Sequence, residues 1–233
     1  MSSSKKEQVR SMFNHIAYRY DFLNHFLSLG IDKSWRRKTV NAIGKHNPKY
    51  ILDVATGTGD LAIELLKINP DKITGIDISE EMLRIAKKKT EEKNISHKID
   101  LMIADCEQLP FPDNSFHAAS IGFGIRNFEN PQKGLDELFR VLDKNGTLAI
   151  LEFSIPSNKI IKSFYLFYFK NILPMIGRLF SKNKMAYHYL PQSVEAFPYG
   201  GKFIEMLEKS GFQNTHARPL SFGIATLYTC NKP

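Results

Sequence analysis

ILDVATGTGD, residues 51–60, joins a short aliphatic run to a pair of glycines. Ile51, Leu52 and Val54 favour a strand, Asp53 stands inside it, and Asp60 closes the turn. Gly57 and Gly59 lack a Cβ, so the backbone there can approach a ligand closely. Further strand-like runs follow at 73–76, 99–103, 118–123 and 147–153, with helical patterns at 60–68, 79–92 and 131–142 between them. Ser79 and the Asn130-Pro131 pair read as helix starts. Strand alternating with helix predicts a mostly parallel sheet covered on both faces. Runs at 212–218 and 222–229, joined by a short Pro-containing turn, predict an antiparallel hairpin that finishes a seven-stranded sheet.

Outside this frame, residues 5–45 read as helical. Val9, Phe13, Ile16, Tyr20 and Leu23 recur at spacings of three and four, and Lys33, Arg36, Arg37 and Lys38 cluster around Trp35. From Phe153 to Val194 there is no acidic residue, while lysine and arginine alternate with Phe, Tyr and Ile. Lys170, Asn171 and Pro174 interrupt that run too closely for it to span a bilayer. The expected organisation is one domain over 1–233, with an N-terminal helical lid at 1–47. A basic, aromatic-rich helical insertion at 155–195 is expected to cover the ligand-binding edge of the sheet.

Composition narrows the class. A 233-residue chain with 42% hydrophobic and 24% charged residues can bury a core as a soluble globular protein. A net charge of +8 points to a phosphate-rich or anionic-surface partner without separating nucleic acid from membrane. Cys106 and Cys230 give neither a disulfide framework nor metal spacing, and no two histidines pair as HxxxH. A reducing cytoplasm and no metal are expected, and MSSSKKEQVR lacks the apolar run of an export signal.

The glycine turn formally matches the dinucleotide pattern from Gly57 through Ala62, so a nicotinamide cofactor competes. Asp53 argues against it, because a carboxylate there repels a pyrophosphate and attracts an ammonium or a sulfonium. Asp60 would likewise crowd the helix start that a pyrophosphate needs. A cationic nucleoside, S-adenosylmethionine, satisfies both. Asp77, about twenty residues beyond the glycines, is placed to grip ribose hydroxyls. Asp105 and Cys106 follow the third strand, where a carboxylate and a backbone N–H can reach an adenine edge. Each aspartate alone could be a turn or cap residue. Their recurrence after successive strands favours the cofactor.

VATGTGD, GIDISEEML, ADCEQLPFPDNSF, GFGIRNF and VLDKNGTLAILEFS together resemble the ubiquinone/menaquinone biosynthesis C-methyltransferase family. The similarity extends to FNHIAYRYDFLNHFLSLGIDKSWR, ILPMIGRLF and AYHYLPQSV, nearly the whole chain. The resemblance implies a Rossmann-like class I S-adenosylmethionine-dependent methyltransferase that methylates a ring carbon of a polyprenylated quinol. It also implies that Thr58, Asp77, Asp105 and Cys106 occupy cofactor positions. Gly122 stands where many members carry Ser, so a side-chain contact is exchanged there for a backbone one.

For such a reaction Arg126 and Asn127, beyond the fourth strand, are the first choices to face the quinol. Arg126 stays charged and would stabilise an oxyanion or orient a water rather than act as a base; its structural alternative is an ion pair with Glu129 or another loop acid. Tyr18, Tyr20, Tyr187 and His188 are further candidates at the substrate. The expected acceptor is demethylmenaquinol, with a ubiquinone-pathway benzoquinol as alternative. An insoluble prenyl tail implies work at the inner membrane surface or with a lipid-presenting partner, and the aromatic insertion could serve that surface, pack on the sheet, or form a homodimer. A nucleic-acid methyltransferase is disfavoured because GFGIRN lacks the proline and aromatic of a base-flipping NPPY-like turn. A catalytically dead cofactor-binding module in an assembly is disfavoured by the intact Asp53, Asp77 and Arg126.

Overall fold

The computed structural model describes residues 4–28, 30–168, 171 and 184–233; within it, the side chains of residues 19, 22–27 and 184–188 also lie outside the description. Helix α1 (Lys5–Leu27) leads to Gly30, whose φ of 75° turns the chain into α2 (Ile31–Ile43). Then come β1 (Tyr50–Val54), α3 (Asp60–Leu65), β2 (Lys72–Asp77), α4 (Glu80–Glu92), β3 (Ile99–Ile103) and β4 (Phe116–Gly122). The second half holds α5 (Pro131–Val141), β5 (Leu142–Phe153), α6 (Lys159–Phe167), α7 (Lys184–Ala196), α8 (Gly201–Lys209), β6 (Gln213–Leu220) and β7 (Ala225–Asn231). The Ser79 hydroxyl accepts from the Met82 N–H at the start of α4, and the Asn130 side chain accepts from Lys133 N–H at the start of α5.

The seven strands form one sheet in the order β3-β2-β1-β4-β5-β7-β6. Pairings from β3 to β5 are parallel, and β7 lies antiparallel between β5 and β6. The strand order reverses direction between β1 and β4, which opens a crevice beyond their carboxyl ends. The two-residue period of a strand distributes the core. Leu52 and Val54 join Ile121, Leu135, Leu138 and Phe203 on one face of the sheet. On the other face Ile51 joins Trp35, Ile43, Leu61 and Leu65.

The elements differ from the expected ones mainly at their ends. The helix from residue 60 stops at Leu65 and tightens into a 3₁₀ turn, β4 begins two residues early, and β5 begins at Leu142. The final hairpin spans 213–220 and 225–231, and Pro219 lies inside β6 opposite Thr226 rather than in the turn. Proline is tolerated there because β6 is the edge strand, where one row of N–H groups needs no partner. The expected insertion yields α6 and α7, with residues 172–183 outside the described ones. Trp35 is 4% exposed, packs on Phe123 and Phe153, and donates from Nε1 to Ser221 Oγ at 2.9 Å. It is a core residue, so the basic cluster around it has no exposed indole to stack on a base.

Candidate active site

The crevice beyond β1, β2 and β4 is an open cleft enclosing about 690 Å³ of space, solvent at its mouth included. Lys6, Val9, Phe13 and Tyr20 of α1 form one wall, and the turns after the strands form the other. Gly57 (φ 56°) and Gly59 (φ 83°) take left-handed backbone that disfavours side chains. A Cβ on Gly57 would meet nothing nearer than Ala55 O at 4.0 Å, so the room it leaves belongs to the cleft. Ala55 (φ 52°) and Phe123 (φ 59°) are also left-handed, one after β1 and one after β4. Gly124 lets these two turns meet: a Cβ there would stand 2.5 Å from Ala55 Cβ. Two non-glycine residues thus hold left-handed backbone at the switch point.

Asp77 ends β2 at the cleft. Its two carboxylate oxygens accept from Gly57 N–H at 2.9 Å and Ser79 N–H at 2.8 Å, tying the glycine turn to the start of α4. Desolvation by the surrounding protein lifts its pKa to about 6, against the opposing pull of these amides. Asp105 and Cys106 line the same cleft. Asp105 is ion-paired with Lys6 from α1. Cys106 is buried against the Gly134 carbonyl, and burial with nearby acids holds its thiol well above the usual range, hence neutral. Gly122 lines the cleft too; a Cβ there would approach Leu61 Cδ2 to 3.2 Å.

Asp53 differs from its expected position. It shares the sheet face of Ile51, away from the cleft lining, and its carboxylate accepts from Thr56 Oγ1 (2.6 Å) and Ser120 Oγ (2.5 Å). Burial raises its pKa to about 6 despite these bonds, with Asp77 adding repulsion. It braces the strand ends beneath the turn and does not line the cleft. Thr58 is also turned from the cleft lining, and its hydroxyl bonds to Asp21 of α1 at 2.5 Å. Asp60 pairs with Arg36 and Lys89.

In the turn after β4, Asn127 lines the cleft and Arg126 does not. Arg126 Nη1 instead bonds to Glu152 Oε1 at 2.7 Å and to Phe123 O at 2.5 Å. Its partner acid is thus on β5, and not Glu129. Tyr20 lines the cleft edge-on to Phe13, whereas Tyr18 is 72% exposed beneath Arg84 and away from the cleft. The side chains of Tyr187 and His188 lie outside the described residues. Several participants escaped the sequence reading. Lys5 Nζ donates to the carbonyls of Arg126 and Phe128, and Glu107 accepts from the N–H groups of Glu129 and Asn130. Glu152 and Tyr189 were missed as well; Asp21, Glu107, Glu152 and Tyr189 all stood inside the quoted motifs, but nothing in a linear pattern pairs them with their distant partners.

The walls suit a cationic nucleoside: an open glycine turn, a carboxylate at the end of β2, and apolar sides from Ile78, Met82 and Phe128. The strand order and the antiparallel β7 give the fold of the class I S-adenosylmethionine-dependent methyltransferases. The chain belongs to the ubiE/COQ5 methyltransferase family, whose model matches residues 1–232. It is 46% identical to a demethylmenaquinone methyltransferase of Bacteroides fragilis over 98% of this chain and 94% of that protein. It is 48% identical to a ubiquinone/menaquinone biosynthesis C-methyltransferase UbiE of Geotalea daltonii, over 99% and 98% of the two chains. Among solved structures, the [4+2]-cyclase SpnF superimposes with a TM-score of 0.73 at 17% identity, covering 100% of this chain and 98% of that one. That likeness concerns the fold alone.

Proposed function

We propose that this enzyme transfers a methyl group from S-adenosylmethionine to a ring carbon of demethylmenaquinol, giving menaquinol. The observation that carries the substrate is the near full-length similarity to a demethylmenaquinone methyltransferase. The cleft, with its acidic nucleoside end and an amide-bearing acceptor end, is consistent with it.

When bound, the cofactor supplies a methyl carbon on a sulfonium whose leaving group is neutral, so the protein need not protonate it. Asp77 would hold the ribose hydroxyls. Asp105 and the Cys106 backbone would face the adenine once Lys6 yields, with Gly57 and Gly122 giving close backbone contact. Asp53, Thr58 and Gly59 would hold the turn in shape. What remains is to make the ring carbon nucleophilic by stabilising a quinolate, whose parent hydroxyl ionises near ~10, as tyrosine does. Asn127 is suited to donate a hydrogen bond to that oxygen, and the Arg126–Glu152 pair fixes the turn that carries Asn127. Tyr20 would form a wall of the acceptor pocket.

In this reading α1 and α2 act as a lid, and α6 meets the inner membrane surface from the cytoplasm. Ile160, Phe164 and Phe167 are 69%, 73% and 58% exposed on α6, beside Lys159 and Lys162. Aromatics at the acyl boundary and lysines at anionic headgroups suit such a helix. A second copy of the chain is the competing occupant of that face. No helix among the described residues is long and apolar enough to cross a membrane. Methyl transfer from labelled S-adenosylmethionine to reduced short-chain demethylmenaquinone, run beside a benzoquinol analogue, tests the substrate. Faster turnover of the benzoquinol would reassign it, and transfer to neither would end the proposal.

A further inference from the structure

We infer that Tyr189 is a positioning residue for the acceptor side of the cleft, fixing the Asn127 amide so that an N–H points at the substrate oxygen. The inference rests on the quinol methyl-transfer reading and names a residue that reading leaves without a role. Tyr189 lies on α7, far in sequence from the glycine turn, and its hydroxyl donates to Asn127 Oδ1 at 3.1 Å. Asn127 sits in the short 3₁₀ turn after β4 and lines the cleft.

A primary amide has two faces that differ chemically: the oxygen accepts and the nitrogen donates twice. An unrestrained asparagine can present either. With Oδ1 held by the tyrosine, the nitrogen must face the other way. One N–H lies toward Phe123 O at 3.5 Å, and the second has no partner among the described residues. That second hydrogen is the group a developing quinolate needs. A carbonyl oxygen presented instead would repel it.

The surroundings keep Tyr189 a donor. It is half-buried, and burial raises its pKa above the usual tyrosine value against the pull of the nearby Arg126 cation. It therefore stays protonated across the working range. The turn itself is clamped: Lys5 holds the carbonyls of Arg126 and Phe128 from one side, and Glu152 accepts from the Arg126 N–H at 3.3 Å from the other. The backbone of Asn127 is thus set by α1 and β5, while its side chain is set by α7.

The test uses the full chain with short-chain demethylmenaquinol. Tyr189→Phe keeps the ring and removes the donor, and should lower kcat about tenfold, the loss of one hydrogen bond. KM for the quinol and Kd for S-adenosylmethionine should stay within about twofold. Asn127→Ala should lower kcat at least as much, and adding Tyr189→Phe to it should cost nothing further. Multiplying losses, or a Tyr189→Phe variant at the wild-type rate, would overturn the inference. In the ligand-free protein, the ¹⁵N side-chain amide resonances of Asn127 should move in Tyr189→Phe and stay put in Tyr18→Phe. Unmoved resonances would overturn it as well. Should Tyr189→Phe fail to fold, Asn127→Asp takes its place, since it still accepts from the phenol but cannot donate. Its carboxylate also repels a developing quinolate, so it should lose at least as much as Asn127→Ala, and a wild-type rate would overturn the inference. Wild-type protein that methylates no quinol would remove the underlying reading and this inference with it.

Discussion

Arg126 reaches from the turn after β4 to Glu152 on β5, and their side chains, 6% and 0% exposed, form an ion pair with Nη1 and Oε1 2.7 Å apart. Glu152 also accepts from the backbone N–H groups of Arg126 and Phe153. Arg126 Nε is buried with no partner among the described residues. The pair locks the turn that carries Asn127 to the sheet from behind.

Breaking this pair from one side strands a buried charge. Glu152→Ala should therefore destabilise the fold by about 3–5 kcal/mol. Arg126→Ala should cost a similar amount together with its loss of turnover. Urea unfolding beside a methyl-transfer assay separates the effects. Unchanged stability in both variants, with turnover alone lost, would return Arg126 to direct contact with the quinol.

In the proposed role Asp77 should give cofactor binding a pH dependence. Its carboxylate would be the acceptor for the ribose hydroxyls, and its pKa stands at about 6. Protonation removes that acceptor, so affinity for S-adenosylmethionine should fall about tenfold from pH 7 to pH 5. Asp77→Asn should bind weakly and lose most of this dependence. Calorimetric titration at several pH values checks it, and a flat wild-type profile would refute it.

Asp53 should shape stability in the opposite sense to a salt-bridged carboxylate. Its folded pKa is raised from 3.8 to about 6, so the native state holds a proton the unfolded chain has released. Stability from this group is complete below pH 3.8 and declines through the window up to about pH 6. Asp53→Asn should lack that decline. Relative to wild type the variant should gain about 3 kcal/mol between pH 3.5 and pH 7, read from paired urea melts.

Gly59 combines a φ of 83° with a close neighbour, since a Cβ there would lie 3.1 Å from Ala86 Cβ. Gly59→Ala should lose about 1–2 kcal/mol and weaken cofactor binding by shifting the turn. Thermal unfolding with and without S-adenosylmethionine checks both parts; a variant as stable as wild type would show that α4 gives way freely.

The exposed face of α6 predicts vesicle binding. Phe164→Ser with Phe167→Ser should reduce cosedimentation with anionic phospholipid vesicles several-fold while sparing turnover of a short-chain quinol. High salt should weaken wild-type binding by screening Lys159 and Lys162. Equal sedimentation of variant and wild type would shift the face toward a dimer contact.

The sequence by itself determined the sheet and the position of its crevice. The period of the apolar residues and the Gly57–Gly59 turn are local signals, and each requires its backbone geometry whatever lies far away in the chain. Asp77, Asp105, Cys106, Asn127 and Tyr20 could be named for the cleft because they follow strands whose carboxyl ends must meet there, or lie on a helix stripe that must face them. Tertiary structure alone decided where the charges point. Asp53 fell on the Ile51 face and was taken up by Thr56 and Ser120, Arg126 turned inward to Glu152, and Tyr18 faced outward under Arg84. Pairings such as Tyr189 with Asn127 or Thr58 with Asp21 join residues 62 and 37 positions apart. Side-chain electrostatics depends on distances through space, and a linear pattern carries those distances only where neighbours along the chain are neighbours in the fold.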